Sequence, residues 1–219
     1  MLHQQQPPGN QPHALHQLHD NLFMKIKTQI LSTALFSVFV ALSGCTENKP
    51  AETVEAPMSE AEIIKKGEYL VGILGCHDCH SPKRMGPNGP EIIPELHLSG
   101  YPADRPVGKP TLEALREGWA LFNSDLTAGV GPWGISFAAN ITSDDSGIGT
   151  WSLEQFTRAL TQGKAKGLEE GRPLLPPMPW FNYVAMKPED IEAVFRFLKS
   201  TNPVRNVVPV PVSLEEMLQ

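Results

Sequence analysis

GCHDCH, residues 75–80, decides how the rest of the chain is read. Cys76 and Cys79 stand three apart, and His80 follows at once. Three chemistries use such a spacing: a zinc site, a redox dithiol and covalent attachment of a haem. The chain has 219 residues and only three cysteines, the third being Cys45. That number excludes a disulfide scaffold and a zinc site built from four thiolates.

Zinc requires four ligands. Behind the export signal described below, the candidates are Cys76, Cys79, His77, His80 and His97, and no second pair among them has zinc-site spacing. A thioredoxin-like dithiol needs a βαβ setting, whereas a helical pattern with no preceding strand leads into Cys76. A haem fits each feature. Cys76 and Cys79 lie one turn apart at a helix end, so both sulfurs can face one porphyrin edge. Each can close a thioether onto a vinyl group, and His80 then falls beneath the ring with an imidazole for the iron.

Upstream of the motif, the segment 45–58 is polar with no apolar face and reads as a flexible tether. Ahead of it, MKIKTQILSTALFSVFVALSGC (residues 24–45) has the form of an export signal. Lys25 and Lys27 are its charged head, and Ile30 to Leu42 is mostly apolar. That run is short of the about 20 apolar residues a spanning helix requires. LSGC, residues 42–45, resembles the lipobox of bacterial lipoproteins. The resemblance implies that residues 24–44 are removed and that Cys45 is acylated, anchoring the mature chain to a membrane. Residues 1–23 are rich in Gln, His and Pro; they read as disordered or as a start site placed too far upstream, and their histidines receive no ligand role.

Hydrophobic residues make up 41% of the chain, enough for a packed core, and 21 prolines predict long ordered loops. A net charge of −6 argues against non-specific nucleic-acid binding. Ser59 with Glu62 forms a capping box ahead of Ala61, Ile64, Gly67, Val71 and Leu74, which predicts a helix to about Gly75. Ser152 with Gln155 predicts a second box and a helix ended by Gly163. Pro188, Glu189 and Asp190 start a last helix whose apolar stripe is Ile191, Val194, Phe195 and Leu198. Between 83 and 138 the pattern is poorer. A short helix is expected at 111–117, and a β-hairpin with residues 128–132 at its turn. Residues 203–212 are expected to run extended and 213–219 to fray. Asp144 and Asp145 read as turn residues following Ser143.

The stretch 59–212 resembles a class I c-type cytochrome domain. GEYLVGILGCHDCHSP matches the N-terminal helix and haem motif of that family. NITSDDSGIGTWSLEQFTRALTQG and RPLLPPMPWFNYVAMKPEDIEAVFRFLKSTNPV resemble the cytochrome subunits of membrane-bound alcohol and gluconate dehydrogenases. The resemblance implies a mainly α class I domain, to which the residue pattern above adds long Pro-rich loops and a small β-hairpin insertion. It carries least information between 83 and 138. Those subunits often carry several such domains; this chain has one CxxCH motif, implying one haem c. The resemblance also implies that the first and last helices cross at a small residue, here Gly67, close to Phe195 or Phe197.

Class I proteins take the sixth iron ligand from an irregular loop shortly before the last helix, which points to Met178 in LLPPMPW. Pro176, Pro177 and Pro179 stiffen that loop. Met186, Met85 and Met217 are the alternatives, with His97 as the non-methionine rival. Asn140, Thr142 and Trp151 are candidates for hydrogen bonds to a haem propionate or to loop backbone, and Arg172 for an ion pair with a propionate. Trp133, Trp180, Phe181 and Tyr183 read as haem-pocket or core packing residues.

The expected function is that of an electron carrier rather than an enzyme: a single-haem lipoprotein in the bacterial cell envelope, facing the periplasm or exterior. Its expected partners are a dehydrogenase, an oxidase or a quinol-linked complex, with the membrane held through lipid on Cys45. The alternative is a haem enzyme with a labile sixth ligand, peroxidase-like or gas-binding. Familiar di-haem peroxidases need two CxxCH motifs, which counts against it.

Overall fold

The helix leading into the motif begins where its capping residues place it. In the computed structural model, which describes residues 57–219, helix α1 spans Glu60–Ile73. The export signal, Cys45 and nearly all of the tether lie outside the described residues. The Ser59 hydroxyl accepts from the Glu62 amide, and the Glu62 carboxylate accepts from the Ser59 amide at 2.7 Å. Each satisfies an amide that the helix leaves unpaired. The end of the helix differs from expectation. Leu74 caps it, Gly75 takes a left-handed φ of 67°, and the motif forms its own short helix, α2, Cys76–His80.

The last long helix, Pro188–Ser200, packs along α1 and buries Ile191, Ala193, Val194 and Leu198. Gly67 and Val71 are the buried residues of α1. At Gly67 the two backbones approach so closely that a methyl group would overlap the Ala193 carbonyl and come within 2.7 Å of Phe197 Cβ. Ion pairs Lys66–Asp190 (2.5 Å) and Arg196–Glu60 (2.7 Å) decorate the rim and are exposed enough to contribute little.

A third helix, Leu153–Gln162, is capped by the Ser152 hydroxyl, which accepts from the Gln155 amide at 3.1 Å. The reciprocal half of the expected box does not form. The Gln155 side chain instead donates to the Lys166 carbonyl at 2.8 Å, satisfying the turn Ala165–Gly167. Phe156 from this helix joins Val71, Leu98, Ile148, Ile191, Val194 and Leu198 in one apolar core, and Cys76 packs against it.

The region 83–138 holds more strand than expected. Strands β1 (Lys83–Gly86) and β2 (Gly89–Ile92) form an antiparallel hairpin. After α3 (Leu112–Arg116), strands β3 (Leu121–Phe122), β4 (Ala128–Gly131) and β5 (Gly134–Phe137) form an antiparallel sheet in that order. Residues 128–131, expected at a turn, are therefore strand; the turn falls at Pro132–Trp133, with Gly131 paired to Gly134. The glycines that suggested a turn serve close packing instead. Gly131 lies against the Trp133 ring and Gly129 against Pro177. The β3–β4 loop is organised by Asp125, whose Oδ1 accepts from Asn123 Nδ2 (2.8 Å) and Thr127 Oγ1 (2.6 Å). Its Oδ2 accepts from Arg105 at 2.7 Å.

In chain order the third and last long helices are α4 and α5. Beyond α5 the chain runs extended, and Val212 bridges Ile135, exchanging hydrogen bonds of 2.8 and 3.0 Å. Asn206 is buried in this strap. Its Nδ2 donates to the carbonyls of Ser99 (2.7 Å) and Tyr101 (2.9 Å), and its Oδ1 accepts from the Ala103 amide (2.9 Å). Residues 213–219, expected to fray, instead form helix α6, Leu214–Met217, because Ser213 and Glu216 close a capping box.

Candidate functional site

A cleft of about 410 Å³ opens between α2, α4, α5, the three-stranded sheet and the loop 172–183. Apolar side chains dominate its walls, among them Ile141, Ile148, Phe156, Leu160 and Val194. Cys76, Cys79, His80, Met178, Asn140, Trp151 and Arg172 all line this one cleft. Residues spread over a hundred positions of sequence thus meet there because α2 lies on one side and the proline loop on another.

His80 is held for ligation. Its Nδ1 lies 2.7 Å from the Ala139 carbonyl oxygen, which accepts the Nδ1–H. That bond fixes the tautomer and leaves the Nε2 lone pair for a metal. Burial pushes the imidazole below the ordinary histidine range, and the bond to Ala139 only partly opposes it. The ring is therefore neutral, the form that binds iron. Burial also pushes the Cys76 thiol up to about 11 and raises Cys79. Both are protonated at neutral pH, which makes them poor dithiol nucleophiles in the folded chain. Among the described residues, no three His, Cys, Asp or Glu side chains form a metal-holding group.

This donor set fits a haem. Two sulfurs sit one turn apart, a neutral imidazole keeps Nε2 free, and the surrounding walls are apolar. Among the described residues, Met178 is the one methionine on the cleft wall. Met85 is 75% exposed on β1, Met186 packs against the core, and Met217 belongs to α6. His97 stands beside His77, with ring centroids 6.5 Å apart, and does not line the cleft.

The weaker candidates divide. Asn140 reaches the cleft wall, but its amide is committed to the loop. Oδ1 accepts from Thr142 (2.8 Å), and Nδ2 donates to Val204 (2.7 Å) and Ser146 (3.1 Å). Its side chain and that of Thr142 bond to each other and to the Val204 carbonyl. Asp144 likewise closes its turn, accepting from the Gly147 and Gly149 amides through its backbone carbonyl. Arg172 gives one N–H to the Pro173 carbonyl at 2.9 Å and keeps other donors. The Trp151 indole N–H has no partner among the described residues.

One feature of the cleft could not be read from the sequence. The Ala139 carbonyl leaves no sign in sequence, because any residue supplies one. Tyr183, expected in haem-pocket or core packing, is only 7% exposed and lines the cleft, and its hydroxyl has no partner among the described residues. Burial first, then Cys76 and Cys79, raise its pKa.

No family model matches the chain. Curated proteins do. The cytochrome c subunit of gluconate 2-dehydrogenase from Pantoea cypripedii is 27% identical over 159 residues, covering 69% of this chain and 27% of that protein. The cytochrome c subunit of a quinone alcohol dehydrogenase from Gluconobacter oxydans is 26% identical over 140 residues, 64% of this chain and 21% of that protein. One subunit of the nicotinate dehydrogenase from Pseudomonas putida is 35% identical over 79 residues, 36% of this chain and 6% of that protein. The chain thus spans about a quarter of these two cytochrome subunits, and far less of the nicotinate enzyme's subunit. These relatives at low identity are cytochrome subunits of dehydrogenases, which supports a cytochrome-subunit family.

Proposed function

We propose that the chain is a class I c-type cytochrome with one covalently bound haem, passing single electrons between exported redox proteins. The observation that carries this reading is the convergence of Cys76, Cys79, His80 and Met178 on one largely apolar cleft. A haem held there supplies a one-electron ferric–ferrous couple. Cys76 and Cys79 tether it by thioethers, His80 offers Nε2, and Met178 offers its thioether sulfur. The Ala139 carbonyl orients the imidazole. The apolar walls keep water from the metal, and Arg172 and Trp151 supply donors for propionates. The partner is a dehydrogenase, with an oxidase or quinol-linked complex downstream. Acylation of Cys45 holds the domain to the bacterial envelope, facing the periplasm or exterior.

Spectroscopy tests the reading. Protein from cells competent in cytochrome maturation is expected to keep its colour after denaturation and acid–acetone washing, and to show a sharp α band when reduced. The double substitution Cys76→Ser, Cys79→Ser is expected to remove all acid-stable colour. Colourless wild-type protein overturns the proposal. Met178→Ala is expected to abolish the weak far-red band of the oxidised form, a mark of iron–methionine ligation; an intact band excludes Met178. Mass spectrometry of the mature N-terminus is expected to find acyl groups on Cys45.

A further inference from the structure

We propose that the three-stranded sheet is a brace for the Met178 loop and that Ser136 is its positioning residue, an inference that rests on the haem reading above. Two contacts join sheet and loop immediately ahead of Met178. Ser136, on β5 and 7% exposed, donates its hydroxyl to the Pro176 carbonyl at 2.5 Å. The same oxygen lies 3.3 Å from the Trp133 indole nitrogen, which donates to it, and 3.3 Å from the Gly129 carbonyl. One residue further along, Pro177 lies on Gly129 of β4. A Cβ at Gly129 would stand 3.0 Å from Pro177 Cδ, closer than ordinary contact. Pro176 and Pro177 are thus pinned by separate residues on neighbouring strands.

Proline cannot donate a backbone hydrogen bond, so this segment has few ways to fix itself. Apart from these contacts, the Met178 amide bonds to the Leu175 carbonyl at 3.3 Å, within the loop itself. Buried and anchored from two sides by Trp133 and the sheet, the Ser136 hydroxyl transfers the rigidity of β4 and β5 to the thioether. A thioether so held competes better with any other ligand for the sixth position. The sheet thereby gives the segment 118–138 a purpose at the haem.

The experiment is imidazole titration of full-length oxidised holoprotein, followed by loss of the far-red band. Imidazole must displace Met178, so weaker positioning raises its apparent affinity. Ser136→Ala is expected to bind imidazole about three- to tenfold more tightly, the range of one net hydrogen bond. Ser136→Thr, which keeps the hydroxyl, is expected to return towards wild type. Gly129→Ala pushes on Pro177 from the other contact and is expected to act in the same direction as Ser136→Ala; it decides the question where Ser136→Ala fails to mature. A lowered melting temperature with imidazole affinity within about twofold of wild type, in the maturing variants, overturns the brace and leaves a merely structural contact. Failure of the haem reading looks different: wild-type protein then carries no acid-stable haem, or Met178→Ala keeps the far-red band.

Discussion

Gly67→Val is expected to leave the chain largely unfolded. Any Cβ at this position overlaps the Ala193 carbonyl, which is backbone and cannot rotate away. Relief requires α1 and α5 to part along their length. Overpacking of a tight core costs about 1–3 kcal/mol even where side chains can yield. Here the separation also strips Val71, Ile191 and Val194 of their burial, worth about 1.5–3 kcal/mol each when complete. Against a domain stability of about 5–15 kcal/mol, a loss of about 3 kcal/mol or more is decisive. Urea unfolding gives the measurement, and Gly72→Ala gives the control. Gly72 lies on the same helix, and a Cβ there meets nothing within 4 Å. Alanine should stabilise it by about 0.5–1 kcal/mol through helix propensity. Equal shifts in both variants would remove the helix contact as the cause.

Asp125→Ala is the second large effect, about 3 kcal/mol of destabilisation. The side chain is 5% exposed and collects donors from Arg105, Asn123 and Thr127. Its loss leaves those donors facing one another around a cavity, with Arg105 uncompensated. The effect is pH-dependent. Burial pushes the carboxyl up, but hydrogen bonds from Thr127 and Arg105 outweigh it and hold the group below the usual aspartate range. A folded-state pKa below the unfolded value, about 3.9, stabilises the protein above that value. The contribution is lost as pH falls through the lower folded pKa. Wild type should therefore lose more stability than Asp125→Ala between neutral pH and pH of about 3. Parallel acid-unfolding curves would show that Asp125 takes no part.

Legibility followed the range of the interaction. Ser59, Ser152 and Pro188 mark helix starts by contacts within a single turn, so their elements stand out from sequence. Gln155 shows the limit: whether its amide closes a box or reaches Lys166 depends on where the next loop returns. The hairpin 83–92 escapes a reading of periodicity because its exposed positions offer no apolar alternation. Gly129 and Gly131 look like turn residues, since glycine signals both turns and close packing, and only Pro177 and Trp133 reveal which. At the cleft, Cys76, Cys79 and His80 are legible as a local motif. Met178 comes from resemblance, not spacing. The Ala139 carbonyl and the Ser136–Pro176 bond are invisible, because backbone acceptors belong to every residue alike.

The C-terminal strap has a consequence for how the molecule is made. Asn206 fastens Ser99 from 107 positions away, Val212 fastens Ile135, and α5 is the surface on which α1 lies. A growing polypeptide has none of these until residues 188–212 emerge. Before that moment α1 presents an open greasy flank, and β5 lacks its pairing with Val212. A message cut short anywhere before α5 therefore yields no smaller working version, only fodder for proteases.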